Sequence, residues 1–310
     1  LETYCRSRLA PSGHPCIVDW IPLTGGWEHE VYAVALETGP PADRRIQRLV
    51  LRLNPREEAG PAVAHEARTL TLLADAGFRA PRLRAAETTC EALGAPFVLV
   101  EHISGRPLVD AMPRATPEAR ERLRTSYCAL LARLHQLDWH PFADEETRQG
   151  LTLDALMAAA RRVCSDLPSL ARAVAWLEQH RPLIDEQRAV LHGDPHLANT
   201  LVDDAGGLVL IDWSASGVGD PRVDLSRSMI IVRGYGTDAR RDMFVAAYVV
   251  AAGRVPHLEW FEVLAAVRHL GMVAERAAAR HTASSDGPHA EAAARISAFV
   301  ERVIAAPPAP

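Results

Sequence analysis

The sequence predicts an α+β protein in two lobes: a small antiparallel sheet with one helix over residues 1–105, then a mainly helical lobe over 106–310. Three observations lead there. Ahead of residue 105, apolar residues alternate or come in short runs broken by Gly, Pro and Asn, which is strand and turn chemistry. After it, apolar residues recur three and four apart, the spacing of one helix face. Within that helical part, residues 191–213 (LHGDPHLANTLVDDAGGLVLIDW) hold a hairpin pattern bounded by Asn and Asp.

The elements follow in order. Residues 17–23 and 31–36 read as strands, joined by a turn that contains Gly25 and Gly26. A Pro-bearing turn at 39–45 leads to a strand at 48–53 (RLVLRL), with Arg52 near its end. Residues 61–76 have Val63, Ala67, Leu70 and Leu73 on one helical side, with Gly77 closing the helix, and Glu66 lies within it. Residues 97–100 are a continuous apolar run, typical of a buried strand, and Glu101 to Gly105 break it. Thr116-Pro117 starts a helix in which Leu123, Tyr127, Leu130, Leu131, Leu134 and Leu137 keep helical spacing. His135 on that helix reads as a core or capping histidine rather than a catalyst. A loop at 139–150 precedes helices at 152–164 and 168–180. Beyond the hairpin, Asp220-Pro221 opens a helical stretch over 222–304, broken near 233–237, 252–257 and 281–288. Trp260, Phe261, Leu264, Val267 and Leu270 mark a core-facing stripe, and the Pro-Ala tail at 306–310 reads as frayed.

Composition excludes several kinds of chemistry. A net charge of -5 offers no basic field for nucleic acid or an anionic membrane. All the Lys+Arg residues are arginine. A phosphate loop of the GxxxxGK type and lysine Schiff-base chemistry are therefore both ruled out. The five cysteines, at 5, 16, 90, 128 and 164, form no metal spacing, and their odd, scattered count points to reduced thiols in the cytoplasm. No run of 18 apolar residues and no charged-then-apolar leader occurs, and the start at Leu1 hints that preceding sequence is absent.

The chemistry concentrates in 191–213. Residues 200–202 and 208–211 are the two strands of a hairpin, with turn residues 203–207 between them, so Asn199 and Asp212 should lie side by side. Two hard oxygen donors suit Mg²⁺, with phosphate and water oxygens completing the shell. Asp194, five residues before Asn199, is free to accept a proton from a substrate hydroxyl. A base plus metal ligands are the parts that phosphoryl transfer from a nucleotide requires. The plainer alternative is that Asp194 and Asn199 only cap a turn while Asp212 ends a strand. Asp203 and Asp204 read as turn acids.

An HxDxxxxN pattern followed by a strand-borne Ile-Asp-Trp resembles the catalytic and metal loops of the aminoglycoside phosphotransferase family. The resemblance implies a protein-kinase-like fold, with nucleotide between a sheet lobe and a helical lobe. It also implies Mg²⁺-assisted transfer of the γ-phosphoryl of ATP or GTP to a small-molecule hydroxyl. Asp194 would be the base, and Asn199 and Asp212 the metal ligands. Gly25 and Gly26 would cover the phosphates, although a plain hairpin turn fits them too. Arg52 would grip the phosphates and Glu66 would hold Arg52. This departs from the commoner lysine but keeps the charge. Adenine would meet the backbone C=O of Glu101 and N–H of Ile103. His192 reads as a structural imidazole, and His196, variable in the family, takes no role. GVGDPRVD at 217–224 resembles the family's G-D-P-x-x-D-L segment, where Asp224 would brace the catalytic loop through backbone N–H groups.

For the acceptor, a polycationic aminoglycoside needs an acidic pocket, whereas this chain brings Arg254, Arg268, Arg276, Arg280 and Arg295 to its C-terminal half. The segment LEWFEVLAAVRHLGMVAERA resembles helices of phosphotransferase domains found beside acyl-CoA dehydrogenases. A hydroxylated acyl compound and a macrolide-like antibiotic both stay open, beside an aminoglycoside. A non-catalytic nucleotide-binding protein is the rival class, and the intact Asp194, Asn199 and Asp212 argue against it. The HGD and IDW variants and the lack of an A-P-E segment count against a protein kinase.

Overall fold

The computed structural model describes residues 1–8, 15–23, 30–39, 44–143, 150–280 and 287–306. In chain order the first elements are α1 (Glu2–Arg8), β1 (Cys16–Pro22), β2 (Glu30–Thr38), β3 (Arg45–Leu53), α2 (Gly60–Asp75), β4 (Leu83–Glu87), β5 (Phe97–Glu101) and β6 (Gly105–Pro107). Next come α3 (Leu108–Arg114), α4 (Pro117–His135), α5 (Leu153–Asp166), α6 (Ala171–His180) and β7 (Ala189–Leu191). The hairpin follows as β8 (Thr200–Asp203) and β9 (Leu208–Leu210). After it come β10 (Gly217–Gly219), α7 (Pro221–Gly234), α8 (Asp238–Ala252), α9 (Leu258–Arg280) and α10 (Pro288–Ala305). The chain divides into two compact units, Leu1–Arg106 with Leu201–Ala215, and Pro107–Thr200 with Ser216–Pro310.

The first unit is built on an antiparallel sheet of order β1-β2-β3-β5-β4. Alternation in β3 sends Leu49 and Leu51 to one face, where they pack with Val34, Leu36, Phe97, Leu99 and Cys5. Arg52 falls on the other face, paired in register with Val31 and Val98. Helix α2 buries Val63, Glu66, Leu70 and Leu73 along one stripe. Glu66, rather than the expected Ala67, therefore occupies a core-facing position among apolar neighbours. Strand β4 was not anticipated, because its sequence, LRAAE, lacks an apolar run; pairing with β5 makes it a strand.

The hairpin belongs to this unit, not to the C-terminal part with which the sequence grouped it. Strands β6, β8 and β9 form one small sheet. A Cβ on Gly105 would lie 2.3 Å from the carbonyl oxygen of Val202, so only glycine allows β6 to approach so closely. Trp213 packs edge-on to Phe78 at 5.9 Å, and Arg79 pairs with Asp203 at 2.5 Å. Asp203 also accepts hydrogen bonds from Ala205 and Gly207, the work of a turn acid.

The second unit is helical. Thr116 and Thr152 cap α4 and α5 by accepting hydrogen bonds from the backbone N–H groups of Ala119 and Ala155, each at 3.3 Å. Trp260, Phe261, Leu264 and Val267 of α9 join Leu156, Leu177, Ile296 and Phe299 in the core, with Leu270 partly buried against it. The predicted breaks fall between α7 and α8, between α8 and α9, and between α9 and α10. Strand β10 carries no sequence signal, since a single valine between two glycines is too short a run; antiparallel pairing with β7 makes it a strand. Among the described residues, no helix is long and apolar enough to cross a membrane, and all five cysteines are free thiols.

Candidate active site

In the second unit, β7 delivers the chain into the loop His192-Gly193-Asp194. Gly193 takes φ 83°, a turn that would strain any other residue type. Fully buried Asp224, in the first turn of α7, ties this loop down. Its carboxylate accepts hydrogen bonds from the N–H of His192 at 2.7 Å and of Gly193 at 2.8 Å. His135 reaches the same carboxylate at 3.3 Å and Tyr248 Oη at 2.7 Å, so it is a linking group within the core. Buried His192 accepts the Asp194 N–H at Nδ1 (3.3 Å), which leaves its proton on Nε2. The Pro195 carbonyl is held from the far side by the hydroxyls of Tyr127 and Ser228.

Asp194 itself is half-buried. Arg227 Nε donates to its Oδ1 at 2.8 Å, and His196 Nε2 stands 3.4 Å from its Oδ2. His196 accepts the Asn199 N–H at Nδ1 (3.3 Å), so its proton sits on Nε2, facing Asp194. Burial pushes the Asp194 carboxyl up, but His196 and Arg227 outweigh burial and hold it well below the usual carboxylate range. Asp194 is thus a fixed anion at neutral pH. Asn199 Nδ2 donates to the Asp194 carbonyl at 3.1 Å. That commitment leaves Oδ1 as the Asn199 atom available to a cation.

In the first unit, Arg52 is the centre. Its guanidinium donates through Nη1 to Glu66 and through Nη2 to Asp212 Oδ1, the latter at 2.6 Å. Glu66 is buried, and burial pushes its carboxyl above the usual range while Arg52 pulls it back. Asp212 adopts φ 67°, an uncommon backbone for a residue with a side chain, and Ser214 Oγ donates to its Oδ1 at 2.9 Å. The Asp212 side chain stays 41% exposed, so a carboxylate faces solvent beside a buried pair. The Asn199 Oδ1 of the second unit and the Asp212 carboxylate of the first are each a hard oxygen donor of the kind that Mg²⁺ takes. Among the described residues no group of three or more His, Cys, Asp or Glu forms a metal cage of its own. Mg²⁺ sites of the nucleotide kind need none, because phosphates and water complete the shell.

Glu101 ends β5, pairing with Leu49 and donating its N–H to Arg82 O at 2.9 Å. Ile103 follows in the irregular stretch before β6. Gly25 and Gly26 lie outside the described residues. Sequence reasoning missed Tyr127, Ser228, Arg227 and His269, whose Nδ1 lies 2.9 Å from Arg227 Nη1. It also left His196 without a role. No local spacing could have revealed the α7 and α9 groups, because they reach Asp194 only through helix packing.

The family profile described as "phosphotransferase enzyme family" (APH) matches residues 19–264. Acyl-CoA dehydrogenase family member 10 of Mus musculus is 30% identical over 245 residues, covering 74% of this chain and 22% of that protein. The chain thus spans about a fifth of that curated relative's length. Among solved structures, an aminoglycoside 2'-phosphotransferase mutant in complex with GDP has a TM-score of 0.68 and 16% identity, covering 98% of this chain and 97% of that one. A thermostable aminoglycoside phosphotransferase mutant, in ternary complex with ADP and hygromycin B, has a TM-score of 0.62 and 17% identity, covering 97% and 98%. At such identities these structures establish a shared kinase-like α+β fold.

Proposed function

Since the chain belongs to the phosphotransferase enzyme family, we propose that it transfers the γ-phosphoryl group of ATP or GTP to a hydroxyl of a small molecule. The observation that carries this reading is Asp194: a half-buried carboxylate kept ionised by Arg227 and His196, on a loop locked by Asp224. An anion so fixed can accept a hydrogen bond from an alcohol and orient it, and as a weak base it takes the proton only once the bond to phosphorus is forming. The acceptor oxygen attacks the γ-phosphorus, the bond from that phosphorus to the β-bridging oxygen breaks, and the hydroxyl proton passes to Asp194. Little covalent chemistry is left to the protein, so positioning and charge supply most of the acceleration.

The other roles are of the same kind. Arg52, kept in place by Glu66, serves the α and β phosphates, and Arg can meet them with two prongs. Asn199 Oδ1 and the exposed Asp212 carboxylate would hold Mg²⁺, which when bound neutralises charge on the phosphate oxygens. By the family resemblance Gly25 and Gly26 would cover the phosphates, and the backbone C=O of Glu101 and N–H of Ile103 would meet the base. His192 and Asp224 support the loop without touching substrate. The five free thiols suit a cytoplasmic setting. For the acceptor, likeness to an acyl-CoA dehydrogenase family member supports a hydroxylated acyl compound ahead of an antibiotic.

The test is a panel of hydroxyl compounds assayed for ATP- or GTP-dependent release of ADP or GDP. Asp194→Ala should lower kcat about a thousandfold. Turnover that survives this substitution would remove Asp194 as the base.

A further inference from the structure

We propose that His269 is a positioning residue for the base: a neutral hydrogen-bond acceptor on α9 that holds the Arg227 guanidinium in place and, through it, the carboxylate of Asp194. This rests on the phosphotransferase reading above and adds to it a residue that acts through another.

The path from His269 to Asp194 is two hydrogen bonds long. Arg227 Nε donates to Asp194 Oδ1 at 2.8 Å, and Arg227 Nη1 lies 2.9 Å from His269 Nδ1. A guanidinium has donors only, so the imidazole nitrogen is the acceptor. His269 is therefore neutral in this contact, with its proton on Nε2. The residue is 7% exposed, on a helix that packs against α7. Its ring is thus held by the core, and the guanidinium is fixed at two of its three nitrogens.

Helix α7 shows why Arg227 needs support from outside. Asp224, Arg227 and Ser228 are spaced three and four apart and so share one helix face. Asp224 accepts the N–H groups of His192 and Gly193, and Ser228 Oγ donates to the Pro195 carbonyl at 2.7 Å. Both are short side chains that hold backbone. Arg227 instead reaches the side chain that reacts, on a long stem whose rotamer freedom costs free energy to restrict. A second hydrogen bond, at Nη1, restricts it before any substrate arrives.

The chemical type of the partner matters as much as its place. Elsewhere in this unit Arg222 rests on Asp220 and Arg241 on Glu262, each at 2.7 Å. A carboxylate in place of His269 would hold Arg227 too, but it would draw the guanidinium charge away from Asp194 and add a second anion near it. An imidazole acceptor anchors Arg227 and leaves its charge to Asp194. That charge, with His196, is what keeps the Asp194 carboxyl ionised against burial.

Three substitutions separate this role from packing. His269→Asn keeps a neutral acceptor at the δ position, His269→Asp puts a charged acceptor of the same shape there, and His269→Leu has none. One readout is the pH–rate profile for hydrolysis of Mg-ATP or Mg-GTP, with water in the place of the alcohol. The other is the titration of the Asp194 carboxyl carbon by NMR, which needs no ligand. His269→Leu should lower kcat about tenfold, leave KM for the nucleotide unchanged, and move the acid limb and the titration to higher pH by about one pH unit. His269→Asp should move both at least as far, whereas His269→Asn should recover most of kcat and leave both near the parent. In an Arg227→Met background His269→Leu should cause no further loss. If His269→Leu does not fold, the comparison of Asn with Asp decides. Equal behaviour of those two, a Leu variant that matches the parent, a loss confined to nucleotide KM, or a full further loss without Arg227 overturns the proposal. If neither nucleotide is bound or hydrolysed, the phosphotransferase reading fails, while the NMR titration still decides whether His269 acts on Asp194 through Arg227.

Discussion

The two units hold charged clusters of opposite balance. In the sheet unit one guanidinium, Arg52, lies between two carboxylates, Glu66 and Asp212. In the helical unit one carboxylate, Asp194, lies between Arg227 and His196. In the first cluster Glu66 is buried, while the Asp212 side chain stays 41% exposed. In the second, Asp194 is itself half-buried, with one carboxylate oxygen toward Arg227 and the other toward His196. Structural ion pairs in the same chain, such as Arg222 with Asp220, are closed and neutral. The lesson is that the two units hold charge in opposite ways: acids around a cation in the sheet unit, basic groups around an anion in the helical unit.

The largest effect should come from emptying the centre of the first cluster. Arg52→Met leaves buried Glu66 facing Asp212 with no cation between them, and unfolding in urea should report a loss of roughly 3–5 kcal/mol. The double change Arg52→Met with Glu66→Met should regain most of that stability without regaining nucleotide binding. A single variant as stable as the parent would mean that the pair is not the keystone of the sheet unit.

A smaller effect tests the second cluster through pH. Asp194 is held below the usual carboxylate range, so activity that needs its anion is complete at neutral pH and is lost only as pH falls through that low value. Arg227→Met removes one of the groups that oppose burial. The acid limb of the pH–rate profile should then move to higher pH, with less change at neutral pH. An unmoved limb would show that Arg227 does not set the charge of Asp194.

The same comparison explains what could be read from the amino acids. Asp194, Asn199 and Asp212 are legible because a loop and a hairpin place them within 19 residues of one another. Strand and helix periodicity set most element boundaries, and Arg52 and Glu66 were picked out by their order along the chain. The partners that set the chemistry were harder to see. Arg52 and Asp212 are 160 residues apart, and Arg227 stands 33 residues from Asp194 on a different element. His269 belongs to α9, whose apolar stripe announced only a core helix. His196 was passed over because its sequence position carries no signal; its use depends on which ring nitrogen the Asn199 N–H occupies. The GVG strand β10 was invisible for a related reason, since its pairing partner, not its own residues, makes it a strand.

Nucleotide binding tests the central claim most directly. ATP and GTP are titrated calorimetrically into the full chain, first with Mg²⁺ and then with the metal chelated, for the parent and for Asp212→Ala. At least one nucleotide should bind with Mg²⁺, and both chelation and Asp212→Ala should weaken it about tenfold or more. Failure of both nucleotides to bind in the presence of Mg²⁺ would contradict the account.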